Sequence, residues 1–440
     1  MKVLMFGWEF PPHISGGLGT ASFGLTQGLL REGTEVIFVV PKVARDERGR
    51  IITTKSPGEI PITQVVDASD VVIDLNRANY QDIWKNLTYL EVGINLIPYI
   101  SLEEYQQLTG QSSGDISAFE ARIFAERFEF SGTYGHNLLE EVSRYALVAA
   151  KLATIYQFDV IHAHDWLTFP AAIVTQKISG KPLVVHVHAT EFDRSGKHTN
   201  QSIYELEQMG MQAANKIIAV SNLTRKVIIE KYKISPHKVH TVHNAVLPLE
   251  TQQEETHKRY LKEKIVTYLG RVTFQKGPEY FIEAAYKVLQ KEKNVRFVMA
   301  GSGDLLHKMV KRVAELRISS HFHFTGFLKG KEVEQMFDLS DVYVMPSVSE
   351  PFGISPLEAM RSNVPVIVSR QSGVAEVLQH ALKVDFWDIN GLADAIYGLL
   401  RYQALSKTFR KFGKLEVDNL KWESVAAKVN QIYHEIMPQS

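Results

Sequence analysis

The sequence predicts an α/β protein made of two doubly wound parallel-sheet domains, and three observations carry that expectation. Short, β-branched apolar runs alternate with amphipathic helical stretches, the order that builds parallel βαβ units. The alternation occurs twice, on either side of a polar stretch around Glu250–Arg259. The chain of 440 residues also exceeds what one ordinary core accommodates.

Taken in order, Val3–Phe6 is a first strand. It runs into a Gly/Pro-rich loop from Pro11 to Gly19, then a helical pattern with Leu25, Leu29 and Leu30 that stops at Gly33, then a strand over Val36–Val40. Residues 43 to about 133 are less regular and read as an inserted loop or lid. A long helix over Leu138–Tyr156 restores regularity, followed by strand-length runs at Val160–His164, Leu183–His188 and Ile217–Val220. The stretch 246–264 reads as linker and helix. Further strands are expected at Ile265–Leu269, Val295–Ala300, Phe322–Phe324, Val342–Met345 and Val364–Val368, and the C-terminus is a helix with Trp422, Val425, Val429 and Ile432 on one face. The division is 1–245, 246–415 and a C-terminal helix at 416–440. In such folds the ligand lies beyond the C-terminal ends of the strands, here between two sheets.

Apolar residues make up 45% and charged residues 22%, a globular profile, and the charges balance at 49 of each sign. That balance disfavours a dedicated nucleic-acid binder. With no cysteine there is no disulfide and no thiolate metal site. The N-terminal apolar run is too short for a signal-peptide core, and no run of about 18 apolar residues occurs, so the expected location is the cytoplasm.

Four strand ends carry chemistry. Gly270-Arg271 closes one strand and Lys276-Gly277 opens the next helix, so two cations and a helix N-terminus converge where a diphosphate fits; the same spacing also suits two solvated cations. Glu350-Pro351-Phe352-Gly353-Ile354 leads to Glu358 eight positions after Glu350. One carboxylate could hold a hexose and the other a ribose, while Gly353 lets backbone amides approach a phosphate; ordinary helix-terminal placement of Glu358 is the alternative. Gly16 and Gly17 would expose amides to the cleft, or simply make a tight turn. His162 and His164 share a strand face and could pair on a metal, but no third ligand stands at a standard spacing, and the next strand adds His186 and His188 only by proximity. One imidazole at substrate and the other in the core is the favoured reading, with Asp165 capping the next helix. Glu191 and Asp193 are acid/base candidates, against an internal pair with Arg194. A dinucleotide fingerprint fails at Ser22 and Pro41, a Walker loop lacks its second glycine before Lys276, and no G-x-S-x-G is present.

The ordered set Pro11-Pro12…Gly16-Gly17-Leu18, His162-Ala163-His164-Asp165-Trp166, Gly270-Arg271…Lys276-Gly277 and Glu350-Pro351-Phe352-Gly353…Glu358 resembles retaining GT-B glycosyltransferases of the glycogen/starch synthase and sucrose-synthase-like group. The resemblance spans almost the whole chain. It implies a GT-B architecture of two Rossmann-like domains facing a central cleft, with the C-terminal helix crossing back to the first. It also implies a retaining transfer of a hexose, glucose above all, from ADP- or UDP-glucose to an acceptor hydroxyl, extending an α-1,4-glucan. Arg271 and Lys276 would neutralise the departing diphosphate. Glu350 and the Phe352, Gly353 and Ile354 backbone would hold sugar and phosphates, and Glu358 the ribose. Gly16 and Gly17 would meet the diphosphate from the other domain, and His164 would sit beside the sugar. His188, Glu191 and Tyr134 are acceptor-side candidates. No cofactor and no metal are expected, since the cations take the charge-neutralising part, and the partners are a nucleotide sugar and a carbohydrate. Ile14 and Phe352 depart from the lysine and cysteine of bacterial glycogen synthases, which weakens the case for ADP-glucose in particular; a small, phosphorylated or lipid-linked acceptor is the alternative to a glucan, with a nucleotide-sugar 2-epimerase behind it.

Overall fold

A computed structural model of the chain describes residues 1–10, 17–42, 62–67, 87–93, 138–196, 198–248, 262–328 and 330–437. In the first half, β1 (Lys2–Phe6), α1 (Gly17–Arg31), β2 (Glu35–Lys42), β3 (Ile62–Asp67) and β4 (Leu87–Gly93) come first. Then follow α2 (Leu138–Ile155), β5 (Val160–His164), α3 (Phe169–Ser179), β6 (Leu183–Val187), the short α4 (Glu191–Ser195), α5 (Gln201–Ala213), β7 (Lys216–Ala219), α6 (Asn222–Lys231) and β8 (Val239–Thr241). The eight strands form one sheet in the order β3-β4-β2-β1-β5-β6-β7-β8, parallel throughout except for the antiparallel β3–β4 pair.

The second half holds β9 (Lys264–Leu269), α7 (Pro278–Lys291), β10 (Val295–Ala300), α8 (Leu306–Glu315), β11 (Phe322–Gly326), α9 (Lys331–Leu339), β12 (Val342–Met345) and α10 (Ser355–Arg361). After these come β13 (Val366–Ser369), α11 (Val374–Val377), β14 (Leu382–Val384), α12 (Ile389–Arg401), α13 (Gln403–Val417) and α14 (Trp422–Ile436). Its six strands run β11-β10-β9-β12-β13-β14, all parallel. Strand order reverses between β1 and β5 in the first sheet and between β9 and β12 in the second. These are the switch points at which a crevice opens above the strand ends.

The parallel strands lie between helical layers, which is why they read as near-continuous Val, Ile and Leu. Every residue of β5 and β6 is buried. One face of the first sheet packs Ile161, Ala163, Val185 and Ile217 against α2, α3 and α5. The opposite face, with Val3, Met5, Val160 and Val184, is closed by α1 and by α14, whose Trp422, Val425, Ala426, Val429, Ile432 and Tyr433 are all buried. The C-terminal helix therefore packs back on the first sheet, burying the apolar face of its sequence there. Small residues on α1 permit the approach: a Cβ on Gly24 would lie 2.2 Å from the Trp422 ring, and one on Gly28 2.5 Å from the Trp422 carbonyl oxygen. At the rim, Arg31 pairs with Glu423, Thr34 Oγ1 donates to Asn430 Oδ1 at 3.0 Å, and Lys216 meets Glu435 at 3.2 Å.

Most strand expectations hold to within a residue or two. The region 43–133 departs from its reading as an irregular insertion, because β3 and β4 lie inside it and extend the sheet beyond β2. The short β8 and β14 escaped notice because three residues carry no period. Most of the expected linker and helix at 246–264 lies outside the described residues. Among the described residues, no helix is long and apolar enough to cross a membrane.

Candidate active site

Loops from the C-terminal ends of both sheets meet. Ser349 Oγ, beyond β12, donates to Asp193 Oδ1 in α4 at 2.6 Å. Glu376 of α11 accepts the Asn222 and Leu223 amides that open α6, both at 2.8 Å, and lies 2.7 Å from His243 Nε2. Burial pushes the Glu376 carboxyl up, but the His243 ring and the two amides outweigh it and hold the group below the usual carboxylate range.

In the second half, the loop after β9 begins with Gly270, whose amide donates to Ala300 O at 3.0 Å. Arg271 follows, largely exposed, with its carbonyl accepting Tyr268 Oη at 2.9 Å. A single 3₁₀ turn, Phe274–Lys276, then delivers Lys276 to Glu350, Nζ to Oε2 at 2.5 Å. Gly277 ends that turn at φ +62, and a Cβ there would lie 2.1 Å from Pro346 O, so only glycine lets the two loops close on each other. Val348 N donates to Gln275 O at 2.9 Å and completes the clasp.

Glu350 is 6% exposed, and its carboxylate also accepts Ser347 Oγ at 3.3 Å. Its backbone bridges to Ser372: Glu350 N donates to Gln371 O at 3.0 Å, Gly373 N to Glu350 O at 2.9 Å, and Val374 N to Phe352 O at 2.8 Å. Phe352 is buried with its ring 6.1 Å from that of His243. Gly353 sits at φ +97, and Ile354 precedes the first residue of α10. Glu358 lies in the first turn of α10; burial raises its carboxyl, with Arg361 opposing and Glu334 adding to the rise. The structure thus brings Arg271, Lys276, Glu350 and the Phe352–Ile354 backbone to one switch point, and leaves Glu358 half-buried on the helix that follows.

Across from them, Gly17 begins α1 with no other atom within 4 Å of where its Cβ would be. Gly16 and Tyr134 lie outside the described residues. Glu191 is placed in an internal network instead of at a free strand end. Its carboxylate accepts Arg194 Nε at 3.2 Å, Ser195 Oγ at 2.5 Å and Asn200 N at 3.0 Å, while Arg194 and Tyr232 both bond Glu207. Asp193 accepts Thr190 N and Oγ1 through one oxygen and Ser349 through the other.

The β5 and β6 ends hold four histidines. His164 is fully buried, so it does not reach the cleft surface as expected; its Nδ1 lies 2.9 Å from Nε2 of His188, which is the partly exposed ring of the group. His162 Nδ1 lies 2.6 Å from Tyr433 Oη of α14. The parallel register sets His164 opposite His186, and the rings form a ladder with centroids 4.3–5.4 Å apart. Burial holds His162 and His188 down to about 3, and His164 and His186 well below their usual range, so all four are neutral. Asp165 corrects a second expectation. It takes φ +58, a left-handed turn that aspartate tolerates, and caps no helix; the residue before α3 is Thr168. Its carboxylate turns to the β6 end, accepting His188 N at 2.6 Å and Ala189 N at 3.3 Å. Burial raises it to about 7 against the pull of Arg194 and these amides.

Comparison with known proteins adds the chemistry class. Residues 250–416 match the family described as Glycosyl transferases group 1, and residues 114–248 match Glycosyltransferase Family 4. An uncharacterized glycosyltransferase of Methanocaldococcus jannaschii, MJ1607, is 27% identical over 405 residues, covering 89% of this chain and 84% of that protein. A glycogen synthase of Mycobacterium tuberculosis is 23% identical over 450 residues, covering 98% and 94%. The crystal structure of Anabaena Alr3699/HepE in complex with UDP and glucose aligns with a TM-score of 0.66 at 15% identity, over 99% of this chain and all of that one (100%). Two glycosyltransferase families in succession along the chain, on two switch-point sheets that share the architecture of such enzymes, lead to one conclusion: this chain is a glycosyltransferase of the GT-B fold.

Proposed function

We propose that this glycosyltransferase moves glucose, with retention of configuration, from ADP- or UDP-glucose to the end of an α-1,4-glucan, in the manner of a glycogen synthase. The observation that carries the reading is the Lys276–Glu350 pair beside Arg271 at the second switch point. An ammonium and a guanidinium at the N-terminal end of α7 suit a diphosphate whose charge grows as the sugar departs. When the donor enters, Lys276 turns to the phosphate and Glu350, clasped by its backbone bridge, is free to accept hexose hydroxyls. The amides around Gly353 face the phosphates, and Glu358 takes the ribose. Gly17, at the start of α1, meets the diphosphate from the first domain. His188 is the imidazole available to the sugar, with His164 behind it.

No protein nucleophile is required if the acceptor hydroxyl attacks from the side the phosphate leaves, giving its proton to the departing phosphate oxygen. Arg271 and Lys276 then stabilise the phosphate that receives it, and catalysis is positioning and charge stabilisation. Near full-length similarity to a glycogen synthase supports a glucan as acceptor.

The test is incubation with each nucleotide sugar, with and without glycogen or maltooligosaccharide, following diphosphate release and chain length. Glucan-dependent release with lengthened, α-linked chains is expected. Donor turnover without elongation overturns the glucan acceptor, and no turnover of either donor overturns glucose as the transferred sugar.

A further inference from the structure

We propose that His162, His164 and His186 form a binding site for one transition-metal ion of the zinc or cobalt class, buried under the C-terminal helix. The site lies on the face of the first sheet that α14 covers, on the far side of His164 from His188 in bonding terms. It is independent of the charge-neutralising pair in the other domain.

Three observations converge. The parallel register places His164 directly opposite His186, with His162 two residues earlier on the same face. One ring nitrogen from each of the three lies within 4.8 Å of the others. His162 Nε2, His164 Nε2 and both nitrogens of His186 are buried with no hydrogen-bond partner. A neutral imidazole carries one donor and one acceptor, and leaving such groups unmatched in a core is uncommon. Three rings meeting on two adjacent strands is an arrangement in which one cation would take one nitrogen from each, leaving one nitrogen of His186 without a protein partner.

The surroundings are those of ligating imidazoles. A metal-bound histidine normally has its other nitrogen held by a hydrogen-bond partner, which fixes the ring and its tautomer. Here His162 Nδ1 faces Tyr433 Oη at 2.6 Å and His164 Nδ1 faces His188 Nε2 at 2.9 Å. With Nδ1 donating in each case, Nε2 presents its lone pair inward. The donor set is all nitrogen, which suits zinc, cobalt, nickel or copper and not magnesium or calcium. Tetrahedral bonds of about 2.0–2.1 Å put ligand nitrogens about 3.3 Å apart. Rotation about the soft terminal torsions of the rings supplies the closure.

The experiment uses the full chain without a histidine tag, stripped with chelator and titrated with Co²⁺. One Co²⁺ per chain is expected, with the visible absorption of four-coordinate cobalt, bleached on adding Zn²⁺, and a raised unfolding midpoint with either ion. His186→Val should reduce affinity at least tenfold and remove the absorption; His307→Ala, at an exposed histidine on α8, should change neither. Substoichiometric binding by the parent, or an unfolding midpoint indifferent to both ions, overturns the site whether or not the valine variant folds. The same absorption surviving in a folded His186→Val protein also overturns it.

Discussion

Removal of Lys276 separates catalysis from stability in a way the structure makes quantitative. In Lys276→Ala, the Glu350 carboxylate keeps only Ser347 Oγ at 3.3 Å among its side-chain partners. Breaking a fully buried pair by removing one partner costs about 3–5 kcal/mol. Here the Lys276 side chain is 23% exposed and that of Glu350 8%, so water reaches the gap and the cost falls towards the ~1–3 kcal/mol of an unsatisfied buried group. Taking about 2 kcal/mol, the melting transition of the second domain should fall by about 4–8 °C. Turnover should fall further, by about 10²–10³, the usual loss on removing one stabiliser of transition-state charge. Glu350→Gln in the same chain removes the uncompensated charge, so the double variant should regain most of the lost stability and none of the lost turnover. Nucleotide diphosphate release and calorimetry on the four proteins read both quantities. If activity returns alongside stability, Lys276 is a strut for the loop and the leaving-group role is wrong. If Lys276→Ala stays within a few-fold of the parent, the same role fails outright.

Gly28→Val should loosen the α1–α14 contact, because its Cβ meets the Trp422 carbonyl; a loss of about 1–3 kcal/mol is expected, seen as early melting of the first domain. Gly277→Ala should disable donor turnover more than a tenfold dilution of enzyme would, through the clash with Pro346 O, and an unaffected rate would show that the clasp tolerates movement. The folded-state carboxyl of Glu376 is held below the usual range, so its contribution is present above about pH 4.5 and is lost as the pH falls through its lowered value. The protection factor of the Leu223 amide, its exchange rate referred to that of an unstructured peptide at the same pH, should therefore fall in acid and in Glu376→Ala at neutral pH, and equal protection in that variant would rule out the carboxylate as the latch.

The loops that hold Arg271, Lys276 and Glu350 were legible because each follows a strand whose Val/Ile/Leu run is buried on both faces, and strand ends are where a doubly wound sheet keeps its ligands. Other features needed the third dimension. The relation of His186 to His162 and His164 depends on the register of β5 against β6; a repeated His-x-His at the ends of successive strands was the available signal, and only pairing turns it into a cluster. The Glu191–Arg194 pair is legible from its three-residue spacing and forms, but the further partners Asn200 and Glu207 arrive only from the next helix and its start. Asp165 looked like a cap because its left-handed backbone, which turns the carboxylate towards β6, leaves no trace in composition. Glu376 caps a helix whose first residue, Asn222, lies 154 positions earlier in sequence, beyond any local rule.

The position of α14 also bears on how the protein is made. A chain emerges from the ribosome N-terminus first, and domains tend to fold in that order. The face of the first sheet bearing Val3 and Met5, with the small-residue side of α1, is covered by residues 422–433, which follow the second domain in sequence. Until α14 has been made, the first sheet carries an open apolar face while the second domain assembles behind it. α14 acts as a closing seal, and a nascent chain released short of it would present that face to chaperones or to other copies of itself.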